Sequence, residues 1–238
     1  MNRVSHIAIS CLLVIVVLGV QACTLLPAQR DHSRFFILTP TSDAAPPTAS
    51  AAGLAHELTI GLGPISFPGY LKRPEVVTRV DPDRVELSEE NRWAEPLDAN
   101  FQRVLGQDLS AMLGTQRIEL FPWYGKPRID YQVAVQVHRF ETALDRQSHL
   151  VASWTIKDGR SGADLFATET TVSSAVSGGD AGGSAAMSSD VALFSRQIAE
   201  RIIKLDRDRA QAEGRLSAVH RNRGKTRIAC ERPRNATA

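Results

Sequence analysis

Few residues in this 238-residue chain are of types that could do chemistry, and most of those lack the neighbours the chemistry would need. Glu89, Glu90 and Glu95 could act as general acid and base, yet no nucleophile or electrophilic group accompanies them. The six histidines form no pair at metal-ligand spacing and have no cysteine close by. His138 and His149 could at most face each other across a hairpin, on its wet side. Serine, histidine and aspartate are plentiful, but there is no Gly-x-Ser-x-Gly elbow to expose a nucleophile. Gly178-Gly179-Asp180-Ala181-Gly182-Gly183 precedes a helix N-terminus, where anions are attracted, but lacks the Gly-Lys-Ser/Thr ending of a phosphate loop. A flexible connector explains it better. Gly61-Leu62-Gly63 lacks the third glycine of a dinucleotide fingerprint, so local backbone geometry is its better explanation. The sequence thus offers no catalytic residue, no metal ligand, no cofactor and no enzyme class.

Cys23 is the exception. A short basic start at Asn2-Arg3 leads into an apolar run from Ile7 to Val20, followed by Gln21-Ala22-Cys23. About 14 apolar positions fall short of the roughly 20 needed to span a bilayer. The pattern is that of a secretory signal, and a cysteine directly after a small residue resembles a bacterial lipobox. Cys23 is therefore the expected lipidation site, with acyl chains (palmitate among them) anchoring the mature protein. Each buried methylene contributes about 0.8 kcal/mol of anchoring. Cys11 lies inside the removed signal and Cys230 stands alone near the C-terminus, so no internal disulfide is available.

The elements behind these residues follow from hydrophobic periodicity. Arg34 to Leu38 reads as a first strand ended by Pro40, and Thr41 to Gly53 as a linker. Leu58 to Ile65 resumes strand character, and Asp81-Pro82-Asp83 joins Val76–Val80 to Arg84–Leu87 in a hairpin. Leu97, Phe101, Val104, Leu105, Leu109, Met112 and Leu113 fall on one helical face, with Pro96 in the first turn and Gly114 as the stop. Three alternating runs follow, starting near Ile129, Leu150 and Phe166, and predict an antiparallel meander. Met187, Val191, Phe194, Ile198, Ile202 and Leu205 mark a second helix.

The expected fold is α+β: an antiparallel sheet, mixed pairing left open, non-sequential in strand order, with two amphipathic helices packed on one face. Its core should include Phe101, Leu105, Leu109, Val133, Val135, Trp154, Phe194 and Ile198. From Arg207 to Ala238, nine Lys/Arg face three Asp/Glu, a net of +6, while Cys23 to Asp206 carries −5. A charged stretch poor in apolar residues is expected to be disordered. The domain plan is then residues 1–22 signal, 23–33 tether, 34–206 folded domain and 207–238 basic tail.

Two polar-aromatic segments suggest a binding surface. One runs from Ile65 to Arg79 and holds the Pro-rich loop Pro68 to Pro74, with Tyr70, Leu71, Lys72 and Arg73; the other is Arg92-Trp93-Ala94-Glu95-Pro96-Leu97. Capping of the core end by Trp93 and Tyr70 accounts for them equally well. Phe35-Phe36-Ile37-Leu38-Thr39-Pro40, the Pro-x-Tyr-Leu-x-Arg-Pro loop at 68–74 and Arg-Trp-Ala-Glu-Pro-Leu at 92–97, in this order and spacing, resemble PqiC-type auxiliary lipoproteins of ABC transporters. That resemblance implies a non-enzymatic outer-membrane lipoprotein on the periplasmic face of a Gram-negative envelope, with Thr24 after the cysteine favouring outer-membrane transfer. It further implies a partner among the MCE-domain proteins of lipid-trafficking systems, met through Tyr70, Leu71, Arg73, Arg92 and Trp93. Outer-membrane lipid is a second partner through acylated Cys23, and a homo-oligomer stays open. The export signal argues against nucleic acid. The alternative is a lipid-anchored periplasmic carrier that itself binds a small apolar ligand; an envelope hydrolase is disfavoured for want of a triad.

Overall fold

The structure, a computed structural model, describes residues 32–41, 57–125, 127–179 and 181–230. The signal segment, Cys23, residues 24–31 of the tether and most of the linker after Thr41 lie outside the described residues. Among the described residues the eight strands are β1 (Arg34–Phe36), β2 (Ile60–Ser66), β3 (Glu75–Asp81), β4 (Arg84–Trp93), β5 (Ile118–Leu120), β6 (Tyr131–Ala143), β7 (Gln147–Asp158) and β8 (Asp164–Ala175). The helices are α1 (Leu97–Leu113), between β4 and β5, and α2 (Gly182–Cys230), after β8.

β6 is the spine of one mixed sheet. Along one edge it pairs with β7, and β7 with β8, both antiparallel, which is the expected meander. Its other edge is shared. β2 runs parallel to Tyr131–Gln136 and carries β5, while β3 pairs parallel with Thr142 and Ala143 and continues to β4 and β1. The non-sequential order and the α+β class agree with the sequence pattern, and the parallel pairs make the sheet mixed.

A single core fills the space between the sheet and both helices. All eight residues expected there are at most 3% exposed. Phe101 meets Phe67 edge-on at 5.3 Å and Phe140 at 5.5 Å, geometries that favour aromatic pairs. The indole of Trp154 donates to Thr170 Oγ1 at 3.0 Å, so its one polar atom is satisfied. α1 ends on Gly114 at φ 65°, the left-handed stop anticipated from sequence. Pro96 sits one place earlier than expected, as the N-cap.

Several expectations are corrected. β4 runs ten residues, so Arg92 and Trp93 end a strand instead of lying in a loop. β5 escapes period-2 detection because three residues cannot show an alternation. His138 and His149 do not face each other. A bulge after Val137 shifts the register, setting His149 opposite Glu141 and His138 against Ser153 Oγ at 2.8 Å. Finally, α2 does not stop near Leu205, and the segment expected to be disordered from Arg207 is helical to Cys230. Its Ala, Gln, Glu and Arg residues are good helix formers, and extending a packed helix avoids the cost of nucleation. Among the described residues no helix is long and apolar enough to cross a membrane, and no group of three or more His, Cys, Asp or Glu could hold a metal ion.

Candidate functional site

The three segments that stood out in the sequence meet at one place, and backbone hydrogen bonds join them. β1 lies parallel to the end of β4, with Phe36 beside Trp93. Trp93 N donates to Pro74 O at 2.7 Å, and Ala94 N donates to Phe36 O at 2.9 Å. Just beyond, Leu38 N donates to Asn100 Oδ1 on α1 at 2.6 Å and Thr39 N to Ser188 Oγ on α2 at 3.1 Å. The first segment thus ties both helices to the strand end that carries Trp93.

The loop between β2 and β3 is held from behind by a buried carboxylate. Gly69–Leu71 forms one 3-10 turn that sends Leu71 into the core, 2% exposed, and leaves Tyr70 half-buried. The Tyr70 hydroxyl donates to Glu141 Oε2 at 2.7 Å. Arg79 Nε on β3 and Arg139 Nε on β6 donate to Glu141 Oε1 at 2.7 and 3.0 Å, and Phe140 N donates to Oε2 at 3.0 Å. The Glu141 side chain is 0% exposed. The bulge after Val137 makes this possible: with Phe140 facing the helices, the next residue points to the opposite side.

Electrostatics follow from that geometry. Burial by itself pushes the Glu141 carboxyl up, but hydrogen bonds from Arg79, Tyr70 and Arg139 outweigh it and hold the group below its ordinary value. Burial, and then the Glu141 carboxylate, push the Tyr70 phenol up to about 12. With four donors around its two oxygens, Glu141 fixes the loop in place. Burying a charge is tolerated when it is paired and hydrogen-bonded in this way.

The sequence-derived contact residues therefore divide. Leu71 and Trp93, at 2% and 6% exposure, are core side chains, so the core-end cap describes Trp93 and neither offers free contact area. Tyr70 is committed to Glu141. Arg92 is half-buried opposite Glu75, its Nε without a hydrogen-bond partner among the described residues. Lys72 and Arg73 stay exposed and line a groove of about 350 Å³ together with Trp93, Glu95, Pro96 and Asp98. Glu95 is held by Arg103 at 2.7 Å across the first turns of α1. Sequence reasoning missed Glu141 and Arg139, and gave Arg79, the end of the first polar-aromatic segment, no role of its own. A glutamate directly after Phe140, past the point where the alternation of β6 breaks, was the available signal.

The conspicuous loop of this site is thus fixed by internal polar bonds. The sequence profile of ABC-type transport auxiliary lipoprotein components matches residues 38–199, and the chain belongs to that family, the PqiC-like lipoproteins. The family is an auxiliary transport component. In structure the chain is similar to an uncharacterized protein at 16% identity, with a TM-score of 0.57 and 71% of this chain and 98% of that chain covered. It is also similar to a Xanthomonas campestris protein at 13% identity, with a TM-score of 0.58 and 75% and 99% covered. At such identities the likeness concerns the fold. No curated protein matches the chain in sequence.

Proposed function

We propose that the chain is a non-enzymatic docking subunit of an envelope-spanning lipid transport system, anchored in the outer membrane through acylated Cys23 and meeting an MCE-domain periplasmic protein. The observation that carries this is the Pro68–Pro74 loop, fixed from behind by Glu141 while Lys72 and Arg73 stay free on the wall of the groove over Trp93. A loop fixed before binding loses little entropy on association, and a free arginine can grip a carboxylate with two parallel hydrogen bonds. Tyr70, Leu71, Arg92 and Trp93 support that surface from within, and Lys72 and Arg73 make the contact.

The test is a photoreactive residue in place of Ala94, which is exposed and lines the same groove, in cells, followed by mass spectrometry of the crosslinked products. An MCE-domain protein should be captured, and Arg73→Glu with Lys72→Glu should abolish capture without lowering the melting temperature. Capture of nothing but further copies of this chain would overturn the partner. A tightly held lipid in the native mass spectrum, together with an unaffected crosslink in the charge-reversed variant, would favour the carrier instead.

A further inference from the structure

β5 ends on Leu120 and is followed by Phe-Pro-Trp-Tyr, and the structure holds this segment outward. Leu120 is 43%, Phe121 41% and Tyr124 97% exposed, with Trp123 half-buried beside them. The arrangement is fixed by the scaffold. Phe121 N donates to Leu62 O at 2.9 Å, Gln102 Nε2 to Phe121 O at 3.0 Å and Trp123 Nε1 to Glu119 O at 3.1 Å. The Phe121 and Trp123 rings meet edge-on at 5.4 Å. Gly61 and Gly63 give the segment its clearance. A Cβ on Gly61 would sit 2.9 Å from the Trp123 ring, and one on Gly63 would sit 2.5 Å from Phe121 Cβ. The glycines that resembled half a nucleotide fingerprint thus let an aromatic segment lie against β2.

Arginines gather beside it. An open cleft of about 560 Å³ is lined by Arg117, Arg128 and Arg160, with Glu57 and Asp130 as its carboxylates. Arg117 pairs with Glu57 at 3.4 Å and Arg160 lies 4.0 Å from Asp130, leaving three cations to two anions, with Arg128 exposed. α2 passes the same end of the sheet, where Arg209 pairs with Asp158 and lies 4.6 Å from the centre of the Tyr131 ring. From Arg207 onward the chain carries its net +6.

We propose that this aromatic and basic end rests on an anionic phospholipid surface, beyond any contact made by the Lys72–Arg73 groove. Amphipathic rings settle at the headgroup level, and a positive patch is drawn to anionic lipid. Trp, Tyr and Arg also favour protein interfaces; two features decide for the bilayer. The cleft and the adjoining α2 sequence carry excess positive charge. The family is one of lipoproteins, so the domain is held near a membrane, where tethering raises the effective concentration of a weak second contact.

The experiment uses the full acylated chain in vesicles of phosphatidylcholine, with or without phosphatidylglycerol, with ordinary or brominated acyl chains. Trp93 and Trp154 are 6% and 3% exposed, so Trp123 is the indole a brominated lipid can quench. Emission should fall in brominated anionic vesicles by up to about one third, the share of one indole in three. The loss should disappear with Trp123→Phe or added salt, and Arg128→Glu with Arg160→Glu should reduce it to the level of neutral vesicles. Equal emission in ordinary and brominated anionic vesicles would overturn the proposal, and so would capture of a soluble protein by a photoreactive residue at position 124 in place of lipid quenching. The groove crosslink at position 94 is read separately, so either reading can fail alone.

Discussion

Replacing Glu141 with Gln keeps the shape of the side chain and removes its charge. The amide nitrogen would then face donors in place of one carboxylate oxygen, disrupting either the two arginine bonds or those from Tyr70 and Phe140. Hydrogen bonds to a charged group contribute about 1.5–3 kcal/mol each, and breaking a buried ion pair typically costs about 3–5 kcal/mol. The Arg79 and Arg139 side chains are 18% and 37% exposed, so water can take up part of what they lose. A cost of about 3 kcal/mol results, and at roughly 2–4 °C per kcal/mol for a domain of this size the midpoint should fall by about 6–12 °C at neutral pH. The sign with pH is also set. A carboxyl held below its ordinary value stabilises the fold above the unfolded value and loses that contribution as pH falls through the folded one. The gap between wild type and variant should therefore narrow in acid. Thermal melts at several pH values measure this, and trypsin should cut the variant faster after Lys72. A midpoint within about 1 °C of wild type at neutral pH would refute the claim that Glu141 anchors the loop.

Asp190 on α2 is 0% exposed; burial outweighs the hydrogen bonds from Ser148 and Ser174 and the nearby His149, and pushes its carboxyl up to about 6. A raised acid favours the fold most below its unfolded value and loses that contribution as pH rises through 6, so Asp190→Asn should flatten melting curves across that window and raise the midpoint at neutral pH. Leu105, 0% exposed, should cost about 2–5 kcal/mol as Leu105→Ala, and an unchanged denaturation midpoint would contradict its place in the core. A chain ending after Asp206 loses the Arg209 contacts to Asp158 and Tyr131, whereas one ending after Arg215 keeps them. The shorter chain should melt lower, and equal midpoints would show that the Arg209 contacts add nothing to the fold.

Patterns carried by consecutive residues are legible in the sequence itself. The alternation in β6, β7 and β8 and the stripe of α1 each record one face against one core, which is why Phe101, Val133 and Phe194 can be named as buried from their spacing. The three family segments can be named too, but their meaning cannot. Trp93 looks like a contact residue in a polar loop, and only the pairing of β4 with β1 and the bond to Pro74 show it closed into the core. Glu141 lies 71 residues from Tyr70 and 62 from Arg79, and a one-residue bulge aims it at both. Short strands such as β5, parallel pairing and long-range polar bonds leave no periodic trace in a sequence, because their partners are chosen by the packing of the whole sheet. Sequence by itself determined which residues turn inward and which segments matter; the tertiary structure alone decided which of those segments are anchors and which side chains remain free to meet another molecule.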